Sequence, residues 1–358
     1  MHVVLDISDH GYGHLAQIAP VAGRLRVHIP NLELTVRSRI PTETLRRFIS
    51  GPFKTAPAAP EAKVHMAGPS ELLVEETATA FKDLHENWGN VVAGEAEVLK
   101  NLSPDILVTG ITYSSLAAAK LLGLPALAIS SLNWADIYEA YCGNRAEASR
   151  IAKQVLDAYN GANKFLQIAP HLPMSKITNR QSIGPSARMA PDSLGVIRER
   201  ANLSEETRIV LVGFGGIEGI GRPKTLPKLN DTIWLVEQSD QANRPDILCL
   251  PDLGVQFFEA IPDADLVVTK PGYGTIVEAA CQSTRVLLQE RPDWPETEFM
   301  KAWLDEVTCF APISASVMAA GDIADAVQNL LERSLPTTLP TPSGADEAAI
   351  IIKGLAHN

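Results

Sequence analysis

The segment Leu266-Val-Val-Thr-Lys-Pro-Gly-Tyr-Gly-Thr-Ile-Val-Glu278 decides the fold, because it leads a buried strand through a glycine turn into a helix. The apolar and β-branched residues at its start predict a strand of a parallel sheet. Gly272 and Gly274 form the turn, and we expect the helix to start near Thr275. Glycines let a ligand approach the backbone, and the unpaired N–H groups of a helix start attract an anion. The segment predicts a diphosphate site; a turn that only lets helix and strand pack is the alternative.

Three side chains of this segment are candidates for contacts with such a ligand. Lys270 adds positive charge beside the turn, and Thr275 is expected to cap the helix and touch a phosphate. Glu278 lies one turn into the helix, from where it can point back towards the strand ends and hydrogen-bond a ribose.

The same alternation of short apolar runs and longer amphipathic stretches continues along the chain and is typical of βα units on parallel sheets. The predicted strands are Val3–Ile7, Leu32–Arg37, Ile106–Thr109, Pro125–Ser130, Ile209–Gly213, Thr232–Val236, Leu266–Thr269 and Val286–Gln289. The predicted helices are Leu15–Val27, Thr42–Ile49, Ser115–Leu122, Ala146–Asn160, a short one within Leu253–Ala260, one from Thr275, Ala324–Leu331 and Asp346–Leu355.

This order of elements predicts an α/β protein with two Rossmann-like domains that face a cleft. The N-terminal domain is expected over residues 1–170 and the C-terminal domain over residues 187–333. We place the connection between them at Ala169–Ser186, which is rich in proline and lacks periodicity. Residues 334–358 form a Pro-rich connector and a helix that returns to the first domain.

Composition excludes several classes of protein. The chain has 358 residues, a net charge of −11 and 46% apolar residues, which argues against disorder and against a broad nucleic-acid-binding face. Its four cysteines are far apart and form no C-x-x-C pair, as expected of free thiols in a reducing cytoplasm. Apolar runs are too short for a membrane span, and the first residues lack signal-peptide features, so we expect a cytoplasmic protein.

A second glycine turn, Asp6-Ile-Ser-Asp-His-Gly-Tyr-Gly-His14, follows the first predicted strand. Histidines flank Gly11 and Gly13, and a histidine at the mouth of a cleft can act as a general base or polarise a hydroxyl. For His10, a structural role at the helix start is the stronger interpretation. His14, one step into the helix, is the better candidate for catalysis.

Two further stretches have weaker signals. In Gly213-Phe-Gly-Gly-Ile-Glu-Gly-Ile-Gly221, Gly215 and Gly216 are expected to line the phosphate side of the cleft, with a flexible connector as the alternative. Asp263-Ala-Asp265 looks like a metal clamp but precedes its strand, at the wrong end of the sheet. We interpret it as a solvated loop with a strand-entry residue, and we expect no metal.

The segment from Arg24 to Lys54 is locally basic, with seven lysines and arginines against two glutamates. A solvated basic face is the default interpretation. An anionic acceptor and contact with an acidic membrane surface remain open as alternatives.

These stretches together resemble GT-B glycosyltransferases, especially the glycosyltransferase-like N-terminal region of arabinokinases. They are more remotely similar to the bacterial transferase that adds N-acetylglucosamine to lipid I. The matching residues, in family order, are Asp9-His-Gly-Tyr-Gly-His14, Ser131-Leu-Asn-Trp-Ala-Asp-Ile-Tyr138 with Tyr141, Phe214-Gly-Gly216, Lys270–Glu278 and Arg291-Pro-Asp-Trp-Pro-Glu-Thr-Glu298.

The resemblance implies a nucleotide-sugar donor, most simply a UDP-sugar, held mainly by the second domain without a divalent metal. The implied donor contacts are Gly215, Gly216, Lys270, Gly272, Gly274 and Thr275 at the diphosphate, Glu278 at the ribose, Pro251–Phe258 at the base, and Glu296 or Glu298 at the sugar. The first domain would hold an unknown small or lipid-linked acceptor beside His10, Gly11 and Gly13, with His14 near the reacting hydroxyl. Transfer would be inverting.

Two departures from the family pattern leave other functions open. Gly110 stands where relatives usually have an aspartate that orients the catalytic histidine, and Gln17 replaces a frequent arginine. A nucleotide-sugar-binding module without turnover, or a nucleotide-sugar hydrolase, is therefore the alternative to a transferase.

Overall fold

The protein is described by a computed structural model over residues 1–67, 72–215, 222–238 and 244–356. The chain divides into two compact units. The first unit contains Met1–Ser186 and Pro342–Asn358, and the second contains Ala187–Thr341.

The first unit is built on a seven-stranded parallel sheet. Its strands are β1 (His2–Ile7), β2 (Glu33–Arg37), β3 (Lys54–Ala56), β4 (Ile106–Gly110), β5 (Ala126–Ser130), β6 (Lys164–Ile168) and β7 (Arg180–Ile183). Its first helices are α1 (Gly13–His28), α2 (Thr42–Phe48), α3 (Val74–Glu86), α4 (Trp88–Leu102), α5 (Tyr113–Leu122), α6 (Trp134–Cys142) and α7 (Ala148–Gly161). The order β3-β2-β1-β4-β5-β6-β7 makes the chain leave β1 and β4 in opposite directions.

The second unit repeats this plan with six parallel strands. They are β8 (Arg208–Gly213), β9 (Thr232–Val236), β10 (Ile247–Cys249), β11 (Leu266–Thr269), β12 (Arg285–Gln289) and β13 (Phe310–Ile313). The helices are α8 (Val196–Ala201), α9 (Leu250–Leu253), α10 (Phe257–Ala260), α11 (Tyr273–Cys281), α12 (Glu296–Val307), α13 (Ala315–Ala320) and α14 (Ala324–Glu332). The strand order is β10-β9-β8-β11-β12-β13, so the chain leaves β8 and β11 in opposite directions. Strand residues such as Trp234 and Val268 pack in one core with Val327 and Leu330 of α14.

The last helix, α15 (Gly344–Leu355), packs against α1 and so belongs to the first unit. Its Asp346 accepts hydrogen bonds from Arg24 Nε at 2.6 Å and pairs with His28 Nε2 at 2.8 Å. A Cβ on Gly344 would lie 2.0 Å from the carbonyl oxygen of Gly184, so only glycine permits this approach. The predicted return of the C-terminal helix to the first domain is confirmed. Among the helices of the described residues, none is long and apolar enough to cross a membrane.

The structure corrects the predicted connection at Ala169–Ser186. Strand β7 lies within this stretch and pairs in parallel with β6, from Phe165 opposite Arg180 to Ile168 opposite Ile183. Because β7 is an edge strand, polar residues are tolerated in it, and its sequence Arg-Gln-Ser-Ile lacks the apolar run of a central strand. The helices α3 and α4 are also absent from the sequence prediction.

A buried charged cluster ties the carboxyl ends of β1 and β2 to α4. Arg37 donates to both carboxylate oxygens of Glu95, at 2.6 and 3.0 Å, and lies 3.3 Å from Asp6. Burial raises the pKa of Asp6 to about 6, although Arg37 opposes the shift. The guanidinium therefore stabilises two carboxylates that water does not reach.

Much of the basic segment Arg24–Lys54 is paired with carboxylates. The pairs are Arg24–Asp346, Arg37–Asp6, Arg37–Glu95, Arg39–Asp9, Arg47–Glu43 and Lys54–Glu33. These pairs reduce the positive charge that the segment presents, although its sequence alone is basic.

Replacing Arg37 with alanine is expected to lower the free energy of unfolding by about 3–5 kcal/mol, because two buried carboxylates lose their counter-ion. Urea denaturation of Arg37→Ala measures the loss. Arg47→Ala is the matched control: Arg47 pairs with exposed Glu43 one helical turn away, and its loss costs about 0.5 kcal/mol or less. Similar small effects in both variants would contradict a structural role for the cluster.

Candidate active site

The loop after β1 and the start of α1 carry the two predicted histidines of the first unit. Gly11 has a φ of 67°, a conformation that favours glycine, and α1 begins at Gly13. The backbone N–H of His10 donates to Ser8 Oγ at 3.2 Å. This loop lies at the carboxyl end of β1, where the strand order reverses, and such switch points are the usual ligand sites of open parallel sheets.

His14 is buried in the first turn of α1, with 5% of its surface exposed. Its ring meets the Trp134 ring edge-on, with centroids 5.7 Å apart. The Nδ1 atom makes no hydrogen bond of normal geometry among the described residues, although the Gln17 side chain interacts with the ring and opposes the fall of its pKa. Burial, and to a smaller extent His10, lowers the pKa of His14 to about 3. The imidazole is therefore neutral at physiological pH and can hydrogen-bond a ligand hydroxyl.

Trp134 contacts several of the candidate site residues of the first unit. Asn133 caps α6 by accepting the backbone N–H of Asp136 at 2.9 Å, which fixes the start of the helix at Trp134. The Trp134 ring also contacts His10, at 5.2 Å between centroids. Its Nε1 donates to Glu61 Oε1 at 3.1 Å.

Glu61 is a site residue that sequence analysis missed. It lies in the connection between β3 and α3, where no periodic pattern draws attention to it. The available signal was composition, since Glu61 is the only charged residue between Lys54 and Lys63. Crowding by protein atoms around its carboxyl raises its pKa to about 7.

The loop after β4 is strained and tightly packed. A Cβ on Gly110 would lie 2.9 Å from Ile18 Cγ1, so a larger side chain there requires Ile18 to move. The next residue, Ile111, has a φ of 96°, which is rare for a β-branched residue. Tyr159 holds this conformation by donating to the Ile111 carbonyl at 2.7 Å. Nearby, Gln17 donates to Ser131 Oγ at 2.8 Å and so joins α1 to the loop after β5.

In the second unit, the loops after β8 and β11 bring Gly215 and Lys270 together. Gly215 has a φ of 68°, and its ideal Cβ position lies 3.9 Å from Lys270 Cε. Burial, with Arg291 and Arg222 nearby, lowers the pKa of Lys270 to about 8. Gly216, predicted beside them, lies outside the described residues.

The helix after Lys270 starts earlier than predicted. Gly272 is its N-cap and α11 begins at Tyr273, so Gly274 and Thr275 lie in the first turn and Thr275 is not the cap. The cap residue is a glycine and so makes no side-chain cap hydrogen bond to this helix start. The first N–H groups are thus presented at the carboxyl end of β11, the position expected for an anion site.

Glu278 is buried on α11 in an ion pair with Arg188. Arg188 Nε donates to Oε1 at 2.6 Å and Nη2 donates to Oε2 at 3.3 Å. Burial raises the pKa of Glu278, and Arg188 opposes the shift. The Arg188 guanidinium also lies 4.5 Å from the centre of the Phe258 ring. Arg188 therefore contacts both Glu278, the residue predicted to bind a ribose, and the end of Pro251–Phe258, the segment predicted to bind the base.

Glu296 and Glu298 have different surroundings. Glu296 is buried at the start of α12 and accepts a hydrogen bond from Trp294 Nε1 at 2.9 Å. Arg291 lies over the same Trp294 ring, 4.4 Å from its centre. Glu298 is 69% exposed and pairs with Lys301 at 3.1 Å. Glu296 and Arg291 therefore contact the same residue, Trp294, whereas Glu298 is paired with Lys301 at the surface.

The Asp263-Ala-Asp265 pair has a structural role that differs in part from the predicted solvated loop. Asp263 is buried and accepts the backbone N–H groups of Gly195 at 2.5 Å and Ile197 at 2.7 Å, at the start of α8. Asp265 accepts from the N–H of Ile209 at 2.9 Å, as a strand-entry residue does. Within the described ranges, no three His, Cys, Asp or Glu side chains are grouped to hold a metal.

Comparison with known sequences finds two distant relatives. L-arabinokinase of Arabidopsis thaliana is 20% identical over 327 residues, which are 85% of this chain and 29% of the arabinokinase. The chain thus spans less than a third of that relative. An uncharacterized glycosyltransferase of Methanopyrus kandleri is 22% identical over 290 residues, 74% of this chain and 79% of that protein. No protein-family model matches.

Solved structures establish the class of fold: an α/β protein of two Rossmann-like units. The glycosyltransferase of kitacinnamycin aligns with a TM-score of 0.65 at 14% identity, covering 99% of both chains. MurG of Acinetobacter baumannii aligns at 0.56 and 14% identity over 99% of both chains. The glycosyltransferase LpCGTa, solved with UDP, aligns at 0.56 and 16% identity over 99% of this chain and 94% of its own. The protein therefore has the GT-B fold, and the predicted similarity to GT-B glycosyltransferases is confirmed.

Arg188→Ala is expected to lower the free energy of unfolding by about 3 kcal/mol, because it leaves a carboxylate buried without its partner. The loss of stability should be larger at pH 8 than at pH 5. Burial raises the pKa of Glu278, and the loss of Arg188 raises it further, so the folded variant favours the protonated carboxyl. At pH 8 the carboxyl is ionised in the unfolded chain, and folding then costs more than at pH 5. Urea denaturation at both pH values measures this. Glu298→Ala, at an exposed pair, is the control and should change stability by about 0.5 kcal/mol or less. A pH-independent loss in Arg188→Ala would contradict this account.

Proposed function

We propose that this protein is a glycosyltransferase that moves a sugar from a nucleoside diphosphate donor, most simply a UDP-sugar, to an acceptor hydroxyl. The observation that carries the proposal is the site at the carboxyl ends of β8 and β11. There the first turn of α11 has no side-chain cap, and Lys270 lies beside Gly215. The GT-B fold and a UDP-bound structural neighbour support the same function.

The donor diphosphate binds at the start of α11 in this proposal. Backbone N–H groups after Gly272 donate to phosphate oxygens, and the helix dipole stabilises the leaving diphosphate. Lys270 adds a charge that a neighbouring metal would otherwise supply, so transfer proceeds without a divalent cation. Gly215 leaves room for the phosphates, with Gly216, Gly274 and Thr275 as further contacts.

Other parts of the donor are assigned to the side chains around this turn. Glu278, oriented by Arg188, accepts a ribose hydroxyl, and the segment that ends at Phe258 lies against the base. Glu296, which is buried beside Trp294, contacts sugar hydroxyls, with Glu298 as the more exposed candidate.

The first unit binds the acceptor near His10, Gly11 and Gly13. The Nδ1 atom of His14 hydrogen-bonds the reacting hydroxyl, since it is buried and makes no hydrogen bond of normal geometry in the described part of the chain. A single displacement at the anomeric carbon inverts its configuration. The missing carboxylate at Gly110 favours the second candidate, a nucleotide-sugar-binding module without turnover.

Thermal shift with UDP and dTDP, followed by nucleoside diphosphate release from the matching sugar donors, tests the function. A tightly binding nucleotide is expected to raise the Tm, because it binds only the folded state. Release that needs an added acceptor indicates a transferase, release into water alone a hydrolase, and binding without release a binding module. Failure of both nucleotides to raise the Tm would contradict every candidate.

Lys270→Met is expected to weaken UDP binding by about tenfold or more, because a charge-assisted hydrogen bond is lost. The wild-type affinity should also fall as the pH rises above about 8: the pKa of free Lys270 is about 8, and a bound diphosphate raises it, so binding takes up a proton. Isothermal titration calorimetry from pH 7 to 10 measures both effects. Lys228→Met, at an exposed lysine, is the control and should keep wild-type affinity and pH dependence. A pH dependence retained in Lys270→Met would exclude Lys270 as its source.

His14→Ala is expected to lower turnover by about 100-fold or more while the Kd for UDP stays within about twofold. The reason is that His14 belongs to the acceptor site and not to the nucleotide site. Donor release and UDP binding are measured on the same preparation. His65→Ala, outside the described contacts of the site, serves as the control. Unchanged turnover in His14→Ala would remove this residue from the mechanism.

A further inference from the structure

Two contacts hold Glu61 among the candidate site residues of the first unit. Its Oε1 accepts the Trp134 Nε1–H at 3.1 Å. The carbonyl of the preceding residue, Pro60, accepts a hydrogen bond from the Ser114 hydroxyl in the first turn of α5. Since α5 follows β4 and α6 follows β5, Glu61 is fixed beside the carboxyl ends of both strands, although it comes from the connection after β3.

The same carboxylate is linked to the loop that carries the histidines. The Ser8 side chain hydrogen-bonds towards Glu61 and favours its ionised form, and Ser8 Oγ accepts the His10 N–H. Trp134, which donates to Glu61, contacts the His10 and His14 rings. A carboxylate, a buried histidine and a tryptophan therefore form one cluster at the switch point. Glu61 as a whole is half-buried.

We propose that Glu61 is the general base of the reaction, an inference that rests on the transferase function proposed above. The acceptor O–H bond breaks and its proton passes to a carboxylate oxygen of Glu61, while His14 Nδ1 orients the hydroxyl. The acceptor oxygen forms a bond to the anomeric carbon of the donor sugar. The bond from that carbon to the diphosphate breaks, and the nucleoside diphosphate leaves with the electron pair. Glu61 then releases its proton to water.

Burial shifts the pKa values of the two candidate bases in opposite directions, because it penalises the charged form of each. For His14 the charged form is the protonated one, so its pKa falls to about 3 and the imidazole is a weak base. For Glu61 the charged form is the carboxylate, so its pKa rises to about 7. A base whose pKa lies near the working pH combines a populated basic form with a strong drive to take the proton. Of these two groups, Glu61 meets this condition.

The charged and titratable groups around Glu61 come from several elements. In the loop after β1, Asp9 raises the pKa of Glu61, and Arg39, after β2, lowers it. Asp9 is itself paired with Arg39 at 3.6 Å and with Lys63 at 2.7 Å, so its effect is partly neutralised. His10 shares the loop with Asp9. The phenols of Tyr113 and Tyr159, from α5 and α7, stay neutral because burial raises the pKa of each.

The inference also accounts for Gly110. The last residue of β4, Gly110, has no space for a carboxylate side chain unless Ile18 moves. Glu61 supplies a carboxylate to the same end of the sheet from a different segment of the chain. The absence of an aspartate at residue 110 is therefore compatible with turnover.

Nucleoside diphosphate release is measured with a panel of UDP- and dTDP-hexoses, with water and free sugars as acceptors. For the fastest combination, kcat is followed from pH 5 to 9 at saturating donor, so that the titration of Lys270 does not enter through donor binding. The wild-type kcat is expected to rise with pH around a midpoint near about 7, because Glu61 must be ionised. Glu61→Gln should lower kcat by about 100-fold or more and remove the rise, with the Kd for UDP unchanged.

Glu43→Gln is the matched control, since Glu43 is 81% exposed on α2 and should keep wild-type kcat. Glu61→Ala with added formate is the second variant: formate should restore part of the release, because it replaces the missing carboxylate. Any of three results overturns the role of Glu61. The first is a kcat in Glu61→Gln within threefold of wild type, and the second is the absence of rescue by formate in Glu61→Ala. The third is a wild-type kcat that stays constant from pH 5 to 9, which is the profile expected if His14, with its low pKa, were the base. A wild-type protein that binds UDP but releases no nucleotide from any donor would instead overturn the proposed function, and this inference with it.

Discussion

The parallel pairing of β1 with β4 in the first unit, and of β8 with β11 in the second, is the constraint on which the candidate site residues of each unit depend. In the first unit Ile7 lies opposite Gly110, and in the second Gly213 lies opposite Thr269. Because the chain leaves each pair in opposite directions, the loops that follow these strands diverge and leave space at the sheet edge. The residues proposed to bind ligands come from these loops or pack against them. Disturbing either pairing would displace a site as a whole.

Burial then determines the charge that each site residue carries. In the first unit, it makes the imidazole of His14 neutral and holds Glu61 near the midpoint of its titration. In the second unit, it lowers the pKa of Lys270 to about 8, so that the ammonium form loses a proton more readily than that of a solvated lysine. A net charge of −11 is compatible with the proposed anion site, since backbone N–H groups and one lysine supply positive potential locally.

Local signals in the sequence predicted the strand–turn–helix units, because apolar runs and glycines are short-range features. They placed β11, the turn at Gly272 and the start of α1 at Gly13 within a few residues. The extra edge strand β7 was missed because an edge strand needs no apolar run. Pairing between distant segments was also beyond prediction: Arg188 with Glu278, and Trp134 with Glu61, are separated by 90 and 73 residues. Such contacts depend on tertiary packing, which periodicity does not encode.

The position of Glu61 also shows why a missing motif residue is weak evidence for lost function. A general base is defined by its reach to the reacting proton and by its pKa, and neither property requires a particular place in the sequence. At Gly110, the short distance to Ile18 and the strained Ile111 exclude a side chain without rearrangement. The connection after β3 is not subject to this restriction, because Glu61 enters from outside the β4–α5 turn and is held by Trp134 and by the Pro60 carbonyl. In the proposed reaction the carboxylate reaches this end of the sheet from another segment, so a glycine at residue 110 is no argument against turnover.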